Sequence, residues 1–462
     1  MSAARSFYKT KLEWLPEVPN TWTILRTKQV FRLVSEKSSA AHGMDLLSVY
    51  THIGVRPRKS LAQRGNKASN TDGYWIVRNG DIVVNKLLAW MGAVGVSHYA
   101  GVTSPAYDIL RPLNDKHNTD YFHFLFRSST YRQLFKTRSR GIMEMRLRLY
   151  FDQLGQILVP VPPREEQDLI AKFLIHLDKR TERVILAKRK AIDLLDERRY
   201  AVIHKYLKGS ISSGKPSGIP EFGNISNDFK IQKLGSVVSL LVSNVDKLTK
   251  KNERAVRLCN YTDVYKNDEI VADMNFMAAT ATEDEIRKFR IRINDVIITK
   301  DSEEWNDIAV PALVATESDD LLCGYHLSIL RPKAGLILGR FLFRCLQDKF
   351  IANQFHIRAK GVTRYGLSHQ GIKEVLIPVP SLTEQQRICD ALDTELIQFE
   401  SAAKRILREI ELLKEYRATL VSASVLGQLD VRAIAATLPS ETFVMEDDGR
   451  IEEDAEFTEE QI

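Results

Sequence analysis

The chain has 462 residues, 44% hydrophobic and 27% charged, ordinary values for a globular protein of two or three domains. Its net charge of +7 is unevenly placed: residues 436–462 hold ten acids and one arginine, a net of −9, which leaves the rest at +16. No apolar run reaches the ~18–20 residues of a membrane span, and the start "MSAARSFYKTKLEWLPEVP" lacks a secretory apolar core, so a cytoplasmic protein with a polyanionic partner is expected, nucleic acid first.

In chain order, the first 156 residues read as short apolar runs such as "GDIVVNKLLAW" (residues 80–90), separated by Gly, Asn, Asp and Pro. That pattern predicts strands and loops. "ILVPVPPREEQ" (Ile157–Gln167) then reads as a strand, a proline stop and a helix start, with Pro163 in the first turn. No proline interrupts the chain from there to Gly209. The predicted helix covers about 40 residues, or ~60 Å at 1.5 Å per residue.

The same order returns. Strand-and-loop residues 211–374 lead to "VLIPVPSLTEQ" at Val375, and Ser381-x-x-Glu384 fits a capping box. A second helix is predicted up to Gly427. Aligned at an offset of 218, Ile157–Gly209 and Val375–Gly427 share 15 identities in 53 positions, against roughly three by chance. Upstream, "VRNGDIVVNK" (Val77–Lys86) pairs with "IRINDVIITK" (Ile291–Lys300), and "ILRP" and "FLFR" each occur once per half. The chain is therefore two full-length repeats, roughly 1–210 and 211–435, with diverged fronts and similar backs.

The second helix carries a heptad stripe: Leu392, Leu396, Phe399, Ala403, Ile406, Ile410, Leu413, Arg417 and Leu420. The same positions of the first helix are Leu174, Asp178, Thr181, Ile185, Lys188, Ile192, Leu195, Arg199 and Val202, a weaker stripe with charges in it. Steps of 4 and 3 call for a partner helix and a left-handed seam. The simplest pairing is helix with helix within one chain; pairing between chains stays open. The expected interface residues are Leu174, Ile185, Ile192, Leu195, Leu392, Phe399, Ile406, Leu413 and Leu420. The fold expected is α+β: two mixed modules joined by two long antiparallel helices, a coiled-coil spacer with pseudo-two-fold repeat symmetry. The boundaries expected are 1–156 and 211–374 for the modules, 157–210 and 375–435 for the helices, and 436–462 for an acidic, disordered tail.

Catalytic motifs are missing. There is no phosphate-binding G-x-x-x-x-G-K-[ST] loop, dinucleotide fingerprint, H-E-x-x-H or EF-hand loop. "TSPAY" (Thr103–Tyr107) has a faint likeness to the Asn-Pro-Pro-Tyr segment of adenine methyltransferases, but lacks its Asn and reads as a turn. Cys259, Cys323, Cys345 and Cys389 have neither CxxC nor zinc-finger spacing. They read as buried thiols in a reducing compartment, and no metal ligand is expected.

DNA contacts are sought among the basic stretches. "RSRGIMEMRLR" (Arg138–Arg148) and "RAKGVTRYGLS" (Arg358–Ser368) set a glycine between cations at equivalent points of the two halves. Shared placement points to backbone contact through Arg140, Arg146, Arg148, Lys360, Thr363 and Arg364. Lys86 and Lys300 end aligned apolar strands, as phosphate contacts or as solubilising strand ends. Arg56, Arg58, Lys59 and Arg64 lie where the halves differ most, as base readers or as a charged surface loop. Trp90 could meet a base or fill the core, with the core favoured.

Together "GDIVVNKLLAWMGAVGVSHYAGVTSPAYDILRP", the doubled "VPVPP-REEQ" and "IPVPSLTEQQ" boundaries, and the helix ends "LLDERRYAVIHKYLKG" and "LLKEYRATLVSASVLGQL" resemble the specificity subunit of type I restriction-modification enzymes. The likeness spans nearly the whole chain to about residue 435; the tail lies outside it. It implies two target recognition domains reading the halves of a split DNA site, and helices that set the spacer and dock two modification subunits. Those partners would carry S-adenosylmethionine and methylate adenine at N6. Restriction subunits that use ATP and Mg complete the assembly, and this chain would catalyse nothing. The alternatives are a stand-alone bivalent DNA-binding or scaffold protein and, more remotely, an enzyme of unrecognised site.

Overall fold

The computed structural model describes residues 5–39, 43–51, 53–58, 73–142, 146–209 and 214–439. They fall into two compact units, residues 1–188 with 407–462, and residues 189–406. Each unit holds one module together with part of both long helices. The compact units therefore cut across the two sequence repeats.

In the first unit a four-stranded antiparallel sheet runs Phe31–Val34, Tyr107–Pro112, Ile82–Asn85, Val94–Val96. All four residues of Ile82–Asn85 are buried, and period-two alternation sends them to opposite faces. Ile82 and Val84 join a core with Phe122, Phe126, Tyr131, Ile170, Leu174, Val421 and Val425. Val83 joins a second core with Leu47, Val49, Val55, Val77 and Tyr107.

The second unit repeats the plan. Its sheet runs Val238–Val242, Leu327–Pro332, Val296–Thr299, Pro311–Val314, with Glu269–Ile270 added in parallel at the edge. Val296 and Ile298 face Phe341, Phe355, Val202, Ile203, Leu392 and Leu396. Ile297 faces Cys259, Ile270, Ile291 and Ala312. One sheet face thus carries the parts the halves share, namely the short helices and the long-helix segments. The other carries what differs. In the first unit that is the hairpin Leu47–Tyr50 with Gly54–Pro57. In the second it is a sheet of Met277–Ala281, Arg254–Cys259 and Leu321–Cys323.

The doubled boundary segments form two-stranded ladders. Leu158–Val161 pairs with Thr23–Arg26, and Leu376–Val379 with Lys230–Lys233. A strand with one neighbour tolerates proline, which cannot donate to a second ladder. Pro163 stands one residue outside the first long helix, Arg164–Lys208, where its carbonyl accepts from Gln167 N at 3.0 Å. The second long helix is Leu382–Val425. Ser381 Oγ accepts from Glu384 N at 3.3 Å, but the Glu384 carboxylate holds Arg387 instead of closing the expected box.

The α+β class and the long helices stand as expected. Within the first unit the helix segments run antiparallel: Asp178 meets Arg417 and Lys188 meets Glu409. The four cysteines are free and buried. Among the described residues no helix is long and apolar enough to cross a membrane.

Candidate nucleic-acid interface

The glycine segments fold into closed loops built the same way in both modules. In the first, Arg140 and Arg148 exchange two backbone hydrogen bonds of 2.9 Å, and Leu149 N donates to Lys86 O at 2.8 Å. In the second, Lys360 and Gly366 exchange bonds of 3.1 and 2.9 Å, and Leu367 N donates to Lys300 O at 2.9 Å. Lys86 and Lys300 are thus the shelves on which the loops rest. A Cβ on Gly141 would lie 2.5 Å from Arg146 O, and one on Gly361 would lie 1.9 Å from Arg364 O. Only glycine lets each loop close.

The loop cations differ in freedom. Arg146, Arg148, Lys360 and Thr363 are exposed and make no ion pair among the described residues, which suits phosphate contact. Arg140 lies 3.0 Å from Asp152 with 62% of its side chain exposed. Lys86 Nζ donates to Pro105 O at 2.8 Å and sits 3.6 Å from Asp108, whose carboxyl burial raises against the pull of that lysine. Lys300 Nζ points to Ser243 O at 3.4 Å. Both strand-end lysines are therefore already engaged.

Arg364 is held differently. Its Nη2 and Nε donate to Asp301 Oδ1 at 2.7 and 3.2 Å, and His326 Nδ1 lies 2.9 Å from Asp301 Oδ2. Beside it Tyr261 and Tyr265 stack at 5.5 Å, and the Tyr265 hydroxyl donates to Asp307 at 3.0 Å. Burial and that carboxylate push Tyr265 up to about 12.

Arg56 lies on the divergent hairpin and donates to the Tyr99 hydroxyl at 2.6 Å; Arg58 N donates to Leu46 O at 2.8 Å. Lys59 and Arg64 lie outside the described residues. Trp90 lines the core, its indole N–H donating to Leu87 O at 3.0 Å with Lys136 5.1 Å from the ring. In the second module Trp305 is 50% exposed, with its ring 6.3 Å from that of His356.

Along the helices the stripe is the sheltered face. Leu174 and Leu392 are fully buried, and both join module cores rather than a helix seam alone. Ile185, Ile192, Leu195, Phe399, Ile406, Leu413 and Leu420 are half-buried. The charges in the stripe are answered: Arg417 Nε and Nη2 donate to the two oxygens of Asp178 at 2.7 and 2.6 Å, and Lys188 pairs with Glu409. Arg199, the repeat counterpart of Arg417, turns instead to Asp268 at 2.7 Å.

Two duplicated devices carry no motif signal. Arg111 donates bidentately to Asp81 at 2.8 Å, and Arg331 to Asp295 at 2.9 and 2.7 Å. These are the arginines of "ILRP" and the aspartates of "NGD" and "IND". Gln167 Oε1 accepts from Asn118 N while its amide donates to Pro162 O, both 2.8 Å. Gln385 repeats this with Leu338 N at 2.8 Å and Pro380 O at 3.0 Å. Their identity in both halves was visible; their role was not.

Residues 19–192 and 227–412 match the model of the type I restriction modification DNA specificity domain. A specificity subunit of the type I restriction enzyme MjaVIII from Methanocaldococcus jannaschii is 21% identical over 408 residues, covering 84% of this chain and 92% of that one. The EcoBI specificity subunit of Escherichia coli is 32% identical over 90 residues, 20% of this chain and 19% of its own. A solved structure from work on complex assembly and conformational transition of the type I R-M system aligns with a TM-score of 0.64. It is 15% identical, covering 89% of this chain and 99% of that one, a likeness of fold.

Proposed function

The chain belongs to the type I restriction-modification DNA specificity family, a non-catalytic DNA-recognition subunit, and from that premise we propose that it reads a bipartite DNA site, one module to each half. The observation that carries this is the duplicated glycine loop on its lysine shelf. The same closed loop occurs twice, once in each module, where its cations would meet the DNA backbone. Shared parts would hold phosphates and divergent parts would read bases.

The long helices set the separation between half-sites and dock two N6-adenine methyltransferase subunits. Leu194, Ile397, Leu412 and Tyr416 leave 46–61% of their surface exposed on these helices, apolar area suited to a protein partner. S-adenosylmethionine, ATP and Mg belong to the modification and restriction/translocase subunits. The work is done on cytoplasmic DNA.

Selection from random duplex DNA tests the reading, with the chain alone and with its modification subunit added. Two short conserved blocks at one fixed separation should be enriched once the subunit is present. One uninterrupted block, or none in either arm, would defeat it. Enrichment as strong without the subunit would favour a stand-alone bivalent binder.

A further inference from the structure

We propose that Arg364 reads a guanine in the half-site of the second module, with Asp301 and His326 as the residues that aim it. This rests on the DNA-reading function proposed above and departs from the phosphate role that the paired glycine loops suggest.

Counting back from the leucine that docks on the lysine shelf, Leu149 or Leu367, the residue three before is Arg146 or Arg364. The glycines give the same equivalence, since a Cβ on Gly141 would strike Arg146 O and one on Gly361 would strike Arg364 O. The surroundings then diverge. The residue after the shelf lysine is Leu87 in the first module and Asp301 in the second. Three residues before "ILRP" stand Ala106 and His326. The first loop has an exposed arginine with no ion pair among the described residues; the second has an arginine clamped on a carboxylate.

A phosphate contact supplies sequence-independent affinity through charge and needs no second side chain to fix the arginine. Base reading depends on orientation. Asp301 engages the Nε and Nη2 side of Arg364, at 3.2 and 2.7 Å. His326 Nδ1 lies 2.8 Å from Asp301 Oδ1 and 3.1 Å from Arg364 Nη2, so imidazole and guanidinium share one carboxylate. The aspartate is itself fixed by the ladder, since Asp301 and Ser302 pair with Gly366 and Tyr365 of the loop. Nη1 makes no hydrogen bond among the described residues. With His326 Nδ1–H donating to Asp301, Nη2 keeps one N–H beside those of Nη1, and with 54% of the side chain exposed that outer edge presents a two-donor fork. Guanine is the base that offers two acceptors, O6 and N7, to such a fork in the major groove.

The test uses the chain assembled with its modification subunits on a library of duplexes with every base varied. The wild type should show a guanine in the second half-site. R364A should relax preference at that one base by roughly tenfold to a hundredfold, leaving the first half-site and the separation unchanged. D301N should relax the same base by less, and R364K should not restore it. An R364A protein that binds all sequences uniformly more weakly, or a wild-type second half-site without guanine, would overturn the inference and leave the subunit's function standing. No bipartite preference in the wild type would overturn the functional reading, and this inference with it.

Discussion

Arg417 on the second long helix grips Asp178 on the first through two hydrogen bonds of 2.7 and 2.6 Å. Asp178 keeps only 14% of its side chain exposed and Arg417 40%. Removing one partner strands a mostly buried charge. R417L should therefore destabilise the protein by roughly 1–3 kcal/mol, below the 3–5 of a fully buried pair because the arginine is partly solvated. The double change D178L with R417L should recover most of it, since Leu396 already fills the repeat position of Asp178. Denaturant unfolding of the two variants beside wild type checks this; an R417L midpoint equal to wild type contradicts it.

The Arg–Asp pairs at the strand ends of the two sheets should matter more. Asp81 and Asp295 are 2% and 1% exposed, and each also accepts a backbone N–H, from Arg78 or Arg292. R111A and R331A should each cost about 3–5 kcal/mol. Thermal melts would show it, and losses under 1 kcal/mol would mean the carboxylates find other partners.

The exposed cations Arg146 and Arg148 of the first loop should behave as phosphate contacts. R148A should weaken binding to specific and random DNA alike and reduce the slope of log affinity against log salt by about one. A slope change confined to one sequence would instead make Arg148 a base reader.

Burial raises all four thiols, Cys389 to about 11. A raised value disfavours the thiolate, so at pH 8 about one Cys389 in a thousand is reactive. The native protein should be nearly inert to a disulfide-exchange reagent, and denaturant should release four thiols. Rapid native labelling of even one would contradict the burial.

Much of this fold was legible because its signals are contiguous or periodic. The doubled proline boundary, the heptad stripe and the glycine between cations each sit within a short window. Asp178 and Lys188 looked like flaws in the first stripe, since their partners Arg417 and Glu409 lie more than 200 residues on. Arg364 looked like another loop cation for the same reason. Asp301 and His326 are 63 and 38 residues away, and nothing local marks them. The compact units were hidden too, because each is completed by a helix segment from the other repeat.

The most direct measurement is an adenine methylation map of genomic DNA exposed to the chain with its modification subunits and S-adenosylmethionine. A split motif is predicted, two short blocks around a fixed unspecified gap with one methylated adenine in each. A continuous motif, or no sequence-specific methylation with all subunits present, would contradict the two-module account.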